Sequence, residues 1–431
     1  MRFSEDVSKW ETERLSVLTD YISRGITPKY TDDSDRSILV VNQRCIREGK
    51  VLFEDARRHD IEKKKVNEEK LLRDLDVLVN STGVGTLGRV SQIQKVVEPT
   101  TVDSHVTIVR GNSDYIDRVY LGYAIKAQQS IIENMAEGST GQTELSRKRL
   151  GEEIIIGFPT DKQEQKAIAH ILSTLDDKIE VNNQINKTLE NMAQAIFKQW
   201  FVDFEFPNEE GEPYKSSGGE MVESELGMIP KGWGVRRIGD ECFCSLGGTP
   251  SRQKSDYWNG DIPWVNSGEV NNFRIYKPSE YITKLGLEKS ATKLLKKKTT
   301  VLAITGATLG QVSLLEIDTC TNQSVVGISE NDKVSHVYIY PYVKSVIKKI
   351  IGNQTGGAQQ HINKGNVEDT KLLIPNKKVL NAYTKLVRPQ YDLISSICFE
   401  NELLTRLRDS LIPKLMSGEI RVSLDAEDDA S

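Results

Sequence analysis

The stretch DKQEQKAIAHILSTLDDKIEVNNQINKTLENMAQAIFKQWF, residues Asp161–Phe201, decides the fold of this chain. Apolar residues recur in it every three or four positions, and only Asn182 and Asn186 interrupt them. Since it holds neither glycine nor proline, it predicts one long helix whose apolar seam needs a partner helix. At about 1.5 Å per residue this helix would span roughly 60 Å, which suits a spacer between two domains. The residues predicted for its seam are Ile168, Leu172, Leu175, Ile179, Leu189, Ala193, Ile196 and Trp200.

A second helical stretch, Val379–Gly418, offers the partner. Its apolar residues keep the same spacing, and Glu400 interrupts them at an offset of 218 from Asn182. We expect the second helix to return along the first, so that the two seams pack antiparallel. Pro389 and Pro413 each lack an N–H and are expected to kink or break the second helix. The residues predicted for the second seam are Leu386, Leu393, Ile397, Leu404, Leu407 and Leu411.

The second half of the chain repeats the first in the same order. Such an ordered set of matches indicates a duplicated unit, in which a globular domain is followed by a long helix. The predicted fold class is α+β: two similar mixed α/β domains separated by a pair of long antiparallel helices, with a pseudo-twofold internal repeat. The chain ends are then expected to lie close together. The matched segments are Gly25–Pro28 with Gly248–Pro250, Val41-Asn42 with Val265-Asn266, Thr86–Val90 with Thr308–Val312, and Gly138–Arg147 with Gly356–Lys364.

These patterns divide the chain into six segments. Two of them are acidic, and one of these is also rich in glycine, serine and proline, which is typical of a linker. The predicted segments are a first domain at 1–160, a long helix at 161–201, an acidic linker at 202–230, a second domain at 231–375, a second long helix at 376–420 and a disordered acidic tail at 421–431.

The net charge of −5 is unevenly distributed. The segment Asp203–Glu225 carries −7 and residues 425–431 carry −4, which leaves +6 on the rest of the chain. Each basic cluster is compatible with a solvated face, but several together favour a polyanionic partner such as nucleic acid. The clusters are Arg57-Arg58, Lys63–Lys65, Arg147–Arg149 and Lys296–Lys298.

The composition also indicates the cellular compartment of the protein. No apolar run approaches the roughly 18 residues of a membrane helix, and no signal-peptide pattern is predicted at the N-terminus. The five cysteines are few, odd in number and mostly far apart, which favours a reducing cytoplasm over a disulfide framework. Cys242 and Cys244 lack a second pair at zinc-site spacing, so no metal site is predicted.

Motifs for catalysis are largely missing from the sequence. The five histidines are isolated, and there is neither an HExxH sequence nor a Walker A lysine loop. Gly83–Gly88 spells GxGxxG after a predicted strand, but no helix pattern follows it, so a dinucleotide site is not expected. No Asn-Pro-Pro-aromatic segment of an amino-methyltransferase is present either, which argues against methylation by this chain alone.

The sequence instead favours a binding function, because several glycine-flanked turns carry polar side chains. Backbone amides can approach a phosphate where no Cβ intervenes, while amide and guanidinium groups can contact base edges in the major groove. The alternative is that these sequences are simply turns between strands. The candidate DNA-binding residues of the first domain are Thr27, Lys29, Asn42, Arg44, Thr82, Thr86, Arg89, Gln142 and Arg147. Those of the second are Thr249, Ser251, Arg252, Asn266, Ser267, Thr305, Thr308, Gln359, Gln360 and Lys364.

With these residues identified, the chain resembles the specificity subunit of a type I restriction-modification system over almost its whole length. The resemblance implies two target-recognition domains, each reading one half of a bipartite DNA site. It also implies that the helices set the spacing and dock two modification (methyltransferase) subunits, which restriction subunits join. The segments that carry it are GGTPSR at Gly247–Arg252, YWNGDIPWVNSGEV at Tyr257–Val270, ITGATLGQV at Ile304–Val312, GGAQQHINKGNV at Gly356–Val367, and the two long helices.

The resemblance further implies a chain that is not itself an enzyme and needs no cofactor. S-adenosylmethionine, ATP and Mg would be bound by the partner subunits of a prokaryotic, cytoplasmic complex that methylates adenine in DNA and cleaves foreign DNA. Two alternatives stay open from the residues themselves. One is a stand-alone DNA methyltransferase or nuclease, and the other is a coiled-coil adaptor without a DNA role.

Overall fold

The chain folds into two compact units. The first is drawn from residues 1–179 and 403–431, and the second from residues 180–402. Both long helices pass from one unit into the other, so each unit contains a part of each helix. The computed structural model describes residues 9–47, 49–135, 144–352 and 361–422.

The elements of the first unit begin with a strand at Trp10 and end in the first long helix. Its strands are β1 (Trp10–Arg14), β2 (Thr19–Arg24), β3 (Tyr30–Thr31), β4 (Ser37–Val41), β5 (Ile46–Arg47), β6 (Lys50–Val51), β7 (Arg57–Asp60), β8 (Val77–Asn80), β9 (Val90–Gln92), β10 (Thr100–Val102), β11 (Val106–Gly111) and β12 (Ile155–Pro159). Its helices are α1 (Arg118–Ala127), α2 (Gln129–Asn134), α3 (Arg147–Glu153) and the long α4 (Lys162–Phe201).

The second unit follows and ends in the second long helix. Its strands are β13 (Met221–Ser224), β14 (Gly227–Pro230), β15 (Gly234–Arg237), β16 (Phe243–Leu246), β17 (Trp258–Val265), β18 (Glu280–Ile282), β19 (Leu294–Leu295), β20 (Thr300–Ala303), β21 (Val312–Leu314), β22 (Thr319–Thr321), β23 (Val325–Ser329) and β24 (Lys371–Ile374). Its helices are α5 (Ile238–Glu241), α6 (Lys284–Glu288), α7 (His336–Gly352), α8 (Lys364–Glu368) and the long α9 (Lys377–Met416).

Two four-stranded sheets form the centre of the first unit, in the orders β2-β11-β8-β9 and β10-β4-β7-β3. β11 pairs antiparallel with β2 and β8, whereas β10 runs parallel to β4. Val77 and Val79 pack in the apolar cluster that includes α1 and α3, while Leu78 packs with Val41 and Ile108 in another. This alternation is expected of a strand that is buried on both faces of its sheet.

The second unit repeats this plan. Its sheets have the orders β16-β23-β20-β21 and β18-β17-β22-β19, and β22 runs parallel to β17 as β10 does to β4. The pair β15–β24 corresponds to the pair β1–β12. Leu302 packs in one apolar cluster and its neighbours Val301 and Ala303 in another, as in β8. The predicted α+β class and internal repeat are confirmed.

In the first unit, the beginning of α4 packs against the end of α9. Ile168 and Leu172 share an apolar cluster with Ile412, Leu415 and Met416. Since residue numbers rise along α4 where they fall along α9, the two segments are antiparallel. The ion pairs that show this order are Glu164–Arg421 and Asp176–Arg408.

In the second unit, the two helices meet through a layer of polar side chains. Asn182 Nδ2 donates to Glu400 Oε2 and to Asn401 Oδ1, both at 2.8 Å. Asn401 Nδ2 in turn donates to Asn183 Oδ1 at 3.0 Å. Asn182 and Asn401 are buried, so these hydrogen bonds replace the water that their amides would otherwise bind. Glu400 is therefore a contact of Asn182 and does not occupy the corresponding position in the repeat.

The buried stripe of α9 lies one residue away from the predicted seam. Leu386, Leu393 and Leu407 are 48, 47 and 48% exposed, while Val387 and Ile394 are buried. The reason is that the two 40-residue helices correspond at an offset of 215 and not 218. Ile397 is buried, and Leu404 and Leu411 are half-buried.

The predicted seam of α4 lies largely inward. Its half-buried members are Leu175, Leu189 and Ile196, and its buried members are Ile168, Leu172, Ile179, Ala193 and Trp200.

The prolines do not end α9, contrary to expectation. The helix runs unbroken across Pro389 and Pro413. Both prolines are exposed. A carbonyl left without its N–H partner on that side can bind water, while the buried side holds the helix together.

The acidic segment 202–230 is folded. It contains the hairpin β13–β14, and Phe206 stacks on Tyr214 and Trp233 with ring centroids 4.6 and 5.0 Å apart. Its aromatic residues therefore form part of the second unit's core, although its composition is typical of a linker.

A buried ionic network joins sheet and helices within the second unit. Arg274, whose side chain is wholly buried, donates to Glu190 Oε2 of α4 at 2.7 Å and to the Tyr340 hydroxyl of α7 at 3.0 Å. Its Nε lies 3.5 Å from Glu316 Oε1, and Glu316 also accepts from Ser395 of α9. Burial alone would raise the pKa of the Glu190 carboxyl, but the charges of Arg274 and its neighbours hold that pKa below its usual value.

Candidate nucleic-acid interface

Three loops of the second unit meet where β16, β17 and β22 end. Thr249 Oγ1 donates to Gln323 Oε1 at 2.6 Å. Asn322 Nδ2 donates to Ser267 Oγ at 3.5 Å. The structure therefore brings the Gly-Gly-Thr-Pro turn and the Asn-Ser-Gly-Glu loop together around one polar segment.

The loop after β20 joins the same edge. The Ile304 N–H donates to the Ser324 carbonyl at 2.9 Å, and the Ile362 N–H donates to the Ile304 carbonyl at 3.1 Å. Thr305 and the beginning of α8 at Lys364 follow directly in the chain. Four separate segments that the sequence singled out thus contribute to one surface.

Two equivalent glycines, one in each unit, are required by close approach. A Cβ at Gly247 would lie 2.2 Å from the Asn322 carbonyl oxygen, and one at Gly25 would lie 1.9 Å from the Val102 carbonyl oxygen. Neither position admits a side chain. These glycines let each turn lie flat on the neighbouring strand end, which agrees with the alternative that they are structural.

The first unit has a corresponding edge. Thr82 Oγ1 lies 2.7 Å from His105 Nδ1 and donates to Gln43 Oε1 at 3.4 Å. The Leu145 N–H donates to the Ser81 carbonyl at 2.8 Å, as Ile362 does to Ile304 in the second unit. This bond brings the beginning of α3 to the same edge.

Some of the predicted residues shape the loops that carry them. Asn42 Oδ1 accepts from the Arg44 N–H at 2.8 Å, and Asn266 Oδ1 accepts from the Gly268 N–H at 2.7 Å. Each asparagine caps the 3₁₀ turn that follows it, which is a common role of this side chain.

Other predicted residues bind backbone within their own turns. Arg89 donates to the carbonyls of Ile46 and Gly85 at 3.4 and 2.9 Å. Thr86 and Thr308 donate to carbonyls of their own turns at 3.2 and 3.5 Å. These side chains therefore stabilise the loops of the edge.

The remaining candidates are placed as follows. Lys364 is half-buried and pairs with Glu368 at 3.0 Å. Gln142, Gln359 and Gln360 lie outside the described residues. The exposed candidates are Thr27, Lys29, Arg44, Arg147, Thr249, Ser251 and Arg252.

Arg252 is held in an aromatic and acidic setting. Its guanidinium lies 3.6 Å from the ring centroid of Trp258 and donates to Glu280 Oε2 at 2.6 Å. An open cavity of about 590 Å³ lies here, lined also by Asn259 and Tyr281. A guanidinium can donate to two acceptors of a guanine in the major groove, so this arginine is suited to base contact.

Several polar residues at these edges were not predicted from the sequence. Gln43, Asn322 and Gln323 lie within two residues after the end of a buried strand, and His105 lies directly before one. A polar residue at the end of a buried strand is the signal that could have found them. Glu280 could not have been found, since only the fold brings it to Arg252.

The basic clusters differ in what they contact. Lys296 pairs with Asp318 at 2.8 Å and Lys298 with Glu316 at 2.6 Å, so these two charges serve the fold. Arg58 pairs with Glu98 at 3.0 Å. A charge run in the sequence therefore does not by itself locate the interface.

The described part of the chain contains no group of three His, Cys, Asp or Glu residues placed to hold a metal ion. Burial raises the pKa of the Cys242 and Cys244 thiols to about 12, and that of Cys320 to about 11. Thiols of this kind are poor nucleophiles at neutral pH. None of the helices described is both long and apolar enough for a membrane span.

The comparisons with known proteins agree with each other. The family model of the type I restriction modification DNA specificity domain matches residues 9–191 and 230–384. The MjaIX specificity subunit of Methanocaldococcus jannaschii is 29% identical over 328 residues, which cover 75% of this chain and 73% of that protein. The HindI specificity subunit of Haemophilus influenzae is 24% identical over 453 residues, which cover 93% and 98%.

A solved structure shares the fold. The crystal structure of the type I restriction-modification S subunit from M. genitalium aligns with a TM-score of 0.55 and 16% identity, over 96% of this chain and 98% of that one. The two family-model matches together span well over half of the chain, one on each copy of the repeat. The chain therefore belongs to the family of type I restriction-modification DNA specificity proteins.

Proposed function

We propose that the chain is the DNA specificity subunit of a type I restriction-modification system and that each domain reads one half of a bipartite DNA site. The observation that carries this proposal is the duplicated polar edge: the same turns, caps and loop contacts occur once in each unit. Two similar edges with different side chains suit two different half-sites. The chain itself is not an enzyme in this proposal.

The helices would set the distance between half-sites and dock the modification subunits. Ile171 and Met192 of α4 are exposed, and so are Leu386 and Leu407, which occupy the same positions of α9 at the offset of 215. Exposed apolar side chains at equivalent positions of the two helices suit two copies of one partner. Two modification subunits would bind there, and restriction subunits would join the complex.

The modification subunits would supply the S-adenosylmethionine chemistry on adenine. The restriction subunits would supply ATP- and Mg-dependent cleavage of foreign DNA. We place this assembly in the prokaryotic cytoplasm.

Exchange of one domain tests the proposal. The segment 231–375 is replaced by the matching segment of a relative with a known site, and the altered chain is assembled with its modification subunits. Sequencing of methylated DNA should then show a change in one half of the site and none in the other. A change in both halves would contradict the model in which each domain recognises one half of the site.

The same assay separates the other possibilities. If the purified chain methylates or cleaves DNA without partners, it is a stand-alone enzyme. If the assembled complex never discriminates between DNA sequences, it is an adaptor without a role in recognition.

A further inference from the structure

Three cationic side chains converge on one turn of the first unit, and the turn itself carries a fourth cationic residue, Lys29. Lys70 Nζ donates to the Gly25 carbonyl at 2.7 Å, and Lys64 Nζ donates to the Thr27 carbonyl at 3.1 Å. Lys29 ends the same turn, and Arg147 donates to Ser23 Oγ, just before it, at 3.4 Å. These side chains come from segments far apart in the sequence, so the fold has brought like charges together.

The cluster lacks carboxylate partners among the residues that the structure describes. Glu68 and Glu69 adjoin Lys70 but form no ion pair with it, while the nearby Glu144 is paired with Arg24. The pKa of Lys70 is lowered, first by burial and then by the positive charges of Arg147 and Lys64. Like charges without a counter-ion repel each other, and a bound anion would relieve that repulsion.

Asp103 is an acidic residue whose backbone bridges to Ile26 of the turn. Its side chain is buried, and burial raises the pKa of its carboxyl. Its Oδ1 accepts from the His105 N–H at 2.9 Å and is thus engaged away from the lysines.

A buried histidine fixes two of the cationic segments. His59 Nδ1 accepts from the Lys29 N–H at 2.8 Å, so the ring hydrogen lies on Nε2 and donates to the Lys64 carbonyl, also at 2.8 Å. The side chain is wholly buried. His59 therefore positions the backbone on which both lysines are carried.

We propose that Lys29, Lys64, Lys70 and Arg147 form a binding site for a phosphodiester group of the DNA backbone, with His59 as a positioning residue. This inference rests on the proposed function and names a contact within it. The lysines act as point charges on a phosphate oxygen, and the arginine can donate two hydrogen bonds. Such contacts fix the register of a domain on DNA without reading sequence.

The second unit is built differently at the corresponding place. Lys364, which begins α8 as Arg147 begins α3, pairs with Glu368, and Arg252 pairs with Glu280. Lys254 donates to the Tyr257 hydroxyl at 3.0 Å. Its cations are already partly neutralised, so we expect the first unit to release more counter-ions when DNA binds.

The test is the salt dependence of DNA binding by the full-length chain assembled with its modification subunits. A labelled duplex with the cognate site serves as the probe. The double variant Lys64→Gln/Lys70→Gln should reduce the slope of log K against log salt by about 0.9, the value for one phosphate, and each single variant should reduce it by less. The double variant should weaken binding about 5- to 10-fold near 0.1 M salt, equally for cognate and unrelated duplexes.

Lys63→Gln is the matched control. Lys63 is the neighbour of Lys64 and equally exposed, but it already pairs with Asp60 at 3.1 Å. Its replacement should leave the slope unchanged. A neutral phosphonate at the contacted phosphate should weaken binding of the unaltered chain more than that of the double variant.

Two results would contradict the proposed phosphate site. One is a double variant in which the slope of log K against log salt is unchanged while binding stays specific for the cognate site. That result would leave the proposed function standing. The other is a Lys70→Gln variant that loses only its response to added inorganic phosphate, since the site would then take free phosphate. Loss of all sequence preference by the unaltered complex would instead contradict the proposed function.

Discussion

At the scale of single residues, Arg274 carries the largest predicted effect on stability. Arg274→Ala removes the cation that contacts both buried carboxylates, and it leaves Glu190 with Lys344 and Glu316 with Lys298 as their cationic partners. Removal of one partner from a buried ion pair costs about 3–5 kcal/mol, because the remaining charge stays out of water. Chemical denaturation of the second unit, followed by its tryptophan fluorescence, measures the loss.

Arg252→Ala is the control for this change. Its pair with Glu280 is exposed on both sides, and such pairs contribute less than about 1 kcal/mol. Equal losses of unfolding free energy in the two variants would contradict the assignment of Arg274 as a buried centre.

The chemistry of single residues was only partly predictable. Turn residues such as Thr249 and Asn266 lie at the edge because their type and spacing mark a turn. The partners that decide their use do not follow from spacing: Gln323 accepts from Thr249, and Glu280 holds Arg252. These contacts depend on which strands become neighbours, and local sequence does not encode that order.

At the scale of elements, the polar layer between the helices of the second unit is expected to specify their register. Asn401→Leu removes the hydrogen bonds to Asn182 and Asn183 and leaves the buried Asn182 amide with Glu400 as its acceptor, which costs about 0.5–1.5 kcal/mol for each bond lost. The double variant Asn182→Leu/Asn401→Leu should recover most of that loss, because two apolar side chains then face each other. It should also loosen the register, since a buried asparagine pair tolerates only one alignment.

Two measurements follow for this pair of variants. Denaturation gives the unfolding free energies for a double-mutant cycle, and methylation of sites with altered spacers gives the register. The asparagines would not specify the register if the double variant lost as much unfolding free energy as the two single variants together and kept its spacer preference.

Elements of strong periodicity were the most predictable part of the fold. α4 follows its heptad pattern over forty residues because the same spacing must be buried along its whole length. The buried stripe of α9 does not follow the spacing of its leucines. The helix instead buries Tyr383, Val387, Tyr391 and Ile394 and exposes leucines at 386 and 393. When a helix has a second apolar face, the position of a residue around the helix axis predicts its burial better than its residue type does.

At the scale of the molecule, the cysteines give a separate reporter for each unit. Cys45 lies in the first unit and Cys242, Cys244, Cys320 and Cys398 in the second, and all are buried. Since burial raises their pKa values, the reactive thiolate is scarce at pH 8. Iodoacetamide should therefore label them slowly in the folded chain and fast in the unfolded one.

Mass spectrometry at increasing urea concentration would read this out. If the units unfold separately, Cys45 becomes labelled at a different urea concentration from the other four. Rapid labelling of any of the five in the absence of urea would contradict their described burial.

The division of both helices between the units affects the order in which a growing chain can fold. The second unit is complete once residue 402 has left the ribosome, whereas the first still lacks Ile412 and Leu415, which cover Ile168 and Leu172. At about 5–20 residues per second, residues 180–402 take roughly 10 to 45 s to translate. Through that interval Ile168 and Leu172 lack the part of their apolar cluster that α9 supplies. The half of the protein that is made first is thus the half that is completed last.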